Sequence, residues 1–174
     1  MTRWPGKICL EGEEMAKENQ SKRELTLTRV FDTPRELVWK AWTDPKVVTK
    51  WWGPRGVTTP VCEVDARPGG GIHIVMLAGK ELGSFAGQRW PMKGTFSELT
   101  PPERLAYVSS AMDDKQGVLL EARNTLTLEE LGGRTRMTLR IAVTRISPGG
   151  EFALAGMEAG WNQSLDKLGE ELAR

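Results

Sequence analysis

The chain has 174 residues, enough at roughly 150 residues per domain for one domain with a sizeable core and a short appendage. Hydrophobic residues make up 39% and charged residues 27%, and 24 Lys and Arg against 23 Asp and Glu leave a net charge of +1. That is the mix of a folded globular chain, without the basic excess of a nucleic-acid binder. No apolar run approaches the roughly 20 residues needed to span a bilayer, and the N-terminus lacks the apolar core of a secretory signal. Cys9 and Cys62 lie in unlike segments, so the expectation is a reduced, cytoplasmic protein with no disulfide framework. The lone His73 excludes a His-rich zinc site, and no clustered acidic motif, nucleophile elbow, phosphate loop or dinucleotide loop is present. No catalytic residue, metal ligand or cofactor is expected. Seven Trp against one Tyr and four Phe is the unusual feature, since large aromatics line cores and ligand cavities alike.

Residues 1–23 are polar and aperiodic and are expected to form a disordered or loosely packed leader. Within them, Glu11-Gly12-Glu13-Glu14 precedes Met15, and codons for such a run readily spell a purine-rich ribosome-binding site. Met15 is therefore expected to be the biological initiator. Residues 24–174 read as one domain. Glu24–Phe31 alternates as a half-buried strand. Thr33-Pro34-Arg35-Glu36 predicts a helix start, with Thr33 as cap, Pro34 at the first position and Glu36 closing a capping box. Asp44-Pro45 opens a second short helix running through Trp51 and Trp52 to Gly53-Pro54.

From Val57 the pattern is strand throughout: Val57–Arg67, Ile72–Leu77, Arg89–Leu99, Arg104–Ser110, Glu121–Leu131 and Arg134–Arg145, with Lys80–Gln88 as a loop. Gly132-Gly133 predicts a two-residue hairpin that sets Glu129 opposite Arg136, Thr127 opposite Thr138, Leu128 opposite Met137 and Asn124 opposite Ile141. Met137, Leu139, Ile141 and Val143 then face inward with Leu126, Leu128 and Asn124, and the Arg stripe faces solvent. A long helix from about Glu151 carries Met157, Trp161, Leu165, Leu168 and Leu172 on one stripe.

Several segments together resemble one known family: Asp32–Pro45, Trp51-Trp52-Gly53-Pro54, Glu63–Gly70, Lys93–Leu99 with Pro101–Leu105, and Gly160–Leu168. They look like the family named for homology to the activator of the heat-shock chaperone ATPase, within the START and polyketide-cyclase-like superfamily. The resemblance implies an α+β helix-grip fold. A curved antiparallel sheet of about six to seven strands wraps around the long C-terminal helix, two short helices follow the first strand, and an apolar cavity lies between sheet and helix.

Residue by residue, Trp161 faces that cavity if the helix stripe is right, and Trp52 beside Gly53-Pro54 is the best rim candidate among the four Trp on the short helices. Phe85 inside the 80–88 loop reads as a lid or, equally, as a packing anchor, and Trp90 follows that loop. Asn124 is the polar exception on an apolar face, where a buried amide must find partners. With Ile74, Met76 and Met137 from the inward faces, these form the expected ligand contacts. His73 is expected to point outward, and Cys62 to be a small buried hydrophobe.

The leading functional expectation is binding of an apolar small molecule (a lipid, polyketide or aromatic metabolite) without chemistry. Stimulation of a heat-shock chaperone ATPase ranks second, because the 23-residue leader cannot replace the N-terminal domain of the eukaryotic activator. A cyclase- or hydrolase-type enzyme acting by substrate positioning ranks third, since no residue pair supports catalysis. No nucleic-acid partner and no membrane span are expected, and nothing in the residues speaks to the oligomeric state.

Overall fold

The computed structural model describes residues 23–115 and 117–174. The expectations for Cys9, the Met15 start and the leader up to residue 22 lie outside the described residues. Seven strands, β1 (Glu24–Phe31), β2 (Val57–Val64), β3 (Gly71–Ala78), β4 (Arg89–Thr100), β5 (Arg104–Met112), β6 (Val118–Leu131) and β7 (Arg134–Ile146), form one sheet. Every neighbouring pair is antiparallel, in the order β1-β7-β6-β5-β4-β3-β2. Helices α1 (Arg35–Thr43) and α2 (Pro45–Trp51) follow β1, and α3 (Glu151–Leu172) closes the chain.

The β6–β7 hairpin is the spine of the sheet. Gly132 and Gly133 have φ of 58° and 85°, the left-handed values that a two-residue turn matched to strand twist demands. The register is the expected one: Glu129 faces Arg136, Leu128 faces Met137 and Asn124 faces Ile141. Leu126, Leu128, Met137, Leu139 and Ile141 are buried, while Arg136 points outward to Glu129 at 3.4 Å. Register shifts in β2, β4, β5 and β6 supply the extra local twist that curls a sheet into a half-barrel.

Two local expectations are corrected. Pro34, not Thr33, occupies the capping position of α1, and no side chain caps that helix. Thr33 is instead buried against β7, its carbonyl oxygen accepting a 2.6 Å hydrogen bond from the Thr135 hydroxyl. This tertiary bond holds the backbone at Thr33 outside the helix, so α1 starts one residue later. β2 ends at Val64 rather than Arg67, because the Gly70 N–H donates to the Arg67 carbonyl and closes the turn early. Between β3 and β4, the expected loop contains tight 3-10 turns over Lys80–Phe85, interrupted at Gly83 with φ of 58°. The Asp44 cap stands as expected, its carboxylate accepting from the Lys46 N–H at 2.9 Å.

Candidate functional site

Helix α3 does not cover the sheet evenly. Its fully buried side chains, Leu165 and Leu168, belong to its C-terminal half, where they join Trp51, Leu126 and Met137 in the core. Polar ties hold the same half in place. Lys167 Nζ donates to the Gly53 carbonyl at 3.1 Å, the Arg55 N–H donates to Gln163 Oε1 at 3.0 Å, and Lys50 pairs with Glu171 at 3.3 Å. Arg55 also pairs with Glu170 and holds that carboxyl below its usual range. From β1, Arg29 donates to Asn162 Oδ1 at 2.7 Å. Gly53 suits this docking loop: its φ is +91°, and a Cβ there would lie 2.5 Å from Val57 Cγ2.

The N-terminal half of α3 stands off the sheet. Its facing positions include Ala153, Gly156 and Gly160, and the opposing strands present Ser109, Ala111 and Ala122. Small side chains on both walls leave a cavity of about 1010 Å³, at the upper end of the size of small-molecule sites. Trp52, Met76, Trp90, Asn124 and Trp161 all line it.

Trp161 and Trp52 form one end, their rings 5.2 Å apart and near-perpendicular. Trp42 stacks behind Trp161 at 6.0 Å and 15°, and Trp51 is buried with its Nε1–H donating to the Ala41 carbonyl at 2.8 Å. The aromatic wall is therefore held by a tryptophan core. At the mouth, Phe152 at the start of α3 is 62% exposed and lies 5.3 Å from Phe85. Phe85 does not line the cavity itself but meets Trp90 at 6.2 Å, closing an exposed aromatic rim.

Besides Phe85, two further expected contacts lie outside the lining. Ile74 and Met137 are fully buried in the core and do not line the cavity. Ile74 packs with Trp42, Val48 and Phe96 around a void of only about 10 Å³, and Met137 lies opposite Arg29 and Leu128. Inward alternation places both on the concave face, but beneath the short helices rather than opposite the open part of α3. Tyr107, Ser109, Met157, Ser164 and Phe152 line the cavity without having been expected there. The signal for them was the run of small residues on α3 and on β5.

The polar groups of the cavity are few. Asn124 is 3% exposed, and its Nδ2 donates to Ser109 Oγ at 2.9 Å and to the Tyr107 carbonyl at 3.3 Å. The Tyr107 hydroxyl is buried without a partner among the described residues, and burial pushes its phenol above the ordinary range, so it stays protonated. Among the described residues, Arg89, Asp113 and Asp114 are the charged ones in the lining, at the outer ends of β4 and β5. His73 is at the sheet surface, its Nδ1 3.3 Å from Glu63 Oε2, away from the cavity. Among the described residues, no cluster of three or more His, Cys, Asp and Glu is arranged to hold a metal, and no helix is long and apolar enough to cross a membrane.

A curled antiparallel sheet gripping one long helix, with a cavity between them, defines the helix-grip class. The chain matches the family model described as Activator of Hsp90 ATPase homolog 1-like protein over residues 32–173, and it belongs to that family. Among solved structures it is similar to a protein from Nitrosomonas europaea, with 28% identity over 88% of this chain and 96% of that one and a TM-score of 0.70. A protein from Chromobacterium violaceum is similar at 28% identity, covering 87% of this chain and 98% of its own, with a TM-score of 0.70. The AHSA1 protein from Silicibacter pomeroyi is similar at 28% identity, 86% and 97% coverage, and a TM-score of 0.71. No curated protein matches in sequence.

Proposed function

We propose that the protein binds a planar, largely apolar small molecule in the cavity between α3 and the sheet. The observation that carries this reading is the cavity of about 1010 Å³ walled by Trp52 and Trp161 on one side and by small residues on two others. A fold that only needed a core would fill such a space, because interiors pack as densely as organic crystals. The exposed pair Phe85 and Phe152 at its mouth supports entry of an apolar molecule there. Away from the charged outer ends of β4 and β5, the walls carry a polar cluster around Asn124 and, among the described residues, no nucleophile beside a base, which favours binding over chemistry.

Titration with naphthalene while following Trp fluorescence tests the proposal. Saturable quenching is expected, because Trp52 and Trp161 line the cavity. The paired substitution Ala111→Leu with Gly156→Leu narrows the cavity from opposite walls and is expected to weaken binding at least about tenfold, or 1.4 kcal/mol. Binding of equal strength to this variant would place the ligand elsewhere.

A further inference from the structure

The polar atoms around Asn124 define what the bound molecule must carry. Both amide hydrogens of Asn124 are committed, one to Ser109 Oγ at 2.9 Å and one to the Tyr107 carbonyl at 3.3 Å, with the Ala122 carbonyl at 3.5 Å. A flipped amide would set Oδ1 against two carbonyl oxygens, so the network determines the orientation. Oδ1 is then left without a hydrogen bond among the described residues, on a side chain that is 3% exposed and lines the cavity.

Ser109 completes the arrangement. Its oxygen accepts from Asn124, and its hydroxyl hydrogen has no acceptor among the described residues. An unused acceptor and an unused donor thus lie close together, beside Tyr107, in a wall that also includes Met92, Ala111, Leu120, Ala122 and Ile141.

We propose that Asn124 Oδ1 and the Ser109 hydroxyl form a recognition pair for a neutral cis-amide, such as a lactam fused to an aromatic ring. The lactam N–H would donate to Oδ1 and its carbonyl would accept from Ser109. An anionic carboxylate fits badly, because Oδ1 repels it and Arg89, the one cation in the lining among the described residues, sits at the outer end of β4. A site built to pair with a ligand donor discriminates against an analogue lacking it, since its own buried polar atom is left unpaired. This proposal rests on the cavity reading above and specifies its chemistry.

The test compares 2-quinolinone, its N-methyl derivative and naphthalene on the wild-type protein and on Asn124→Leu and Ser109→Ala. Wild type is expected to prefer 2-quinolinone over the N-methyl compound by about tenfold or more. Each substitution should bring the two within about threefold of one another; Ser109→Ala keeps the comparison decisive if Asn124→Leu does not fold. Equal binding of the two quinolinones by wild type, with naphthalene still bound, would overturn the recognition pair and leave the cavity reading intact. Failure of all three compounds to bind wild type would overturn both.

Discussion

The thiol of Cys62 lies 3.6 Å from the Pro45 carbonyl oxygen, and burial pushes its pKa up to about 11 from the ordinary 9.0. A folded value above the unfolded one means that the neutral thiol's contribution to stability is fully present below pH 9 and is lost as pH rises toward 11. Over that window only the unfolded chain readily releases the proton. At pH 9 the folded thiol holds about one-fiftieth of the thiolate of an unfolded one, and thiolate is the reactive form. Iodoacetamide labelling of a Cys9→Ser variant at pH 9 should therefore be slower by about that factor in the native protein than in denaturant. Equal rates would show that burial does not govern this thiol. Individual residues were legible where chemistry marked them: Trp52, Trp161 and Asn124 stand out by type and face. Ile74 and Met137 share the concave face but not the cavity lining, because alternation reports the face and not which part of it a helix covers.

At the scale of elements, the β6–β7 hairpin is readable to the register, since Gly132-Gly133 permits one tight turn and that turn sets the pairs from Leu131 opposite Arg134 to Ala122 opposite Val143, where a register shift intervenes. Helix α3 was readable in extent but not in role. Its stripe from Met157 to Leu172 reads as one continuous cover, yet only Leu165 and Leu168 on that stripe are fully buried. Gly156 and Gly160 mark the difference. A Cβ at either would meet no atom within 4 Å, so neither glycine is required by packing, and each weakens the helix by about 0.5–1 kcal/mol relative to alanine. Gly156→Ala and Gly160→Ala are each expected to raise stability by about that amount in urea unfolding. Loss of stability in either variant would mean that the glycine serves the fold rather than the cavity.

For the whole molecule, the contrast between the two halves of α3 sets where it opens. The C-terminal half is anchored by Leu165, Leu168 and the contacts of Lys167, Arg55 and Lys50, whereas the N-terminal half borders the cavity and begins at the exposed Phe152. Segments with few buried apolar contacts open first. Native-state hydrogen exchange should show amides of residues 154–160 exchanging faster than those of 164–170, with naphthalene slowing the first group selectively. Uniform protection along α3 would contradict the weaker anchoring of its N-terminal half.

The order of elements, the hairpin register and the two short helices were determined by the sequence itself, because each rests on local periodicity or turn chemistry, and the helix-grip class followed from the resemblance of the quoted segments to a known family. The location and size of the cavity, the early end of β2 and the burial of Thr33 were decided only by tertiary structure. Each depends on which distant surfaces meet: small residues on α3 opposite small residues on β5 and β6, or a Thr135 hydroxyl reaching back to the Thr33 carbonyl. Pattern along a chain reports which face of an element is apolar. Whether that face is filled or left open is set by the side chains that the rest of the fold brings against it.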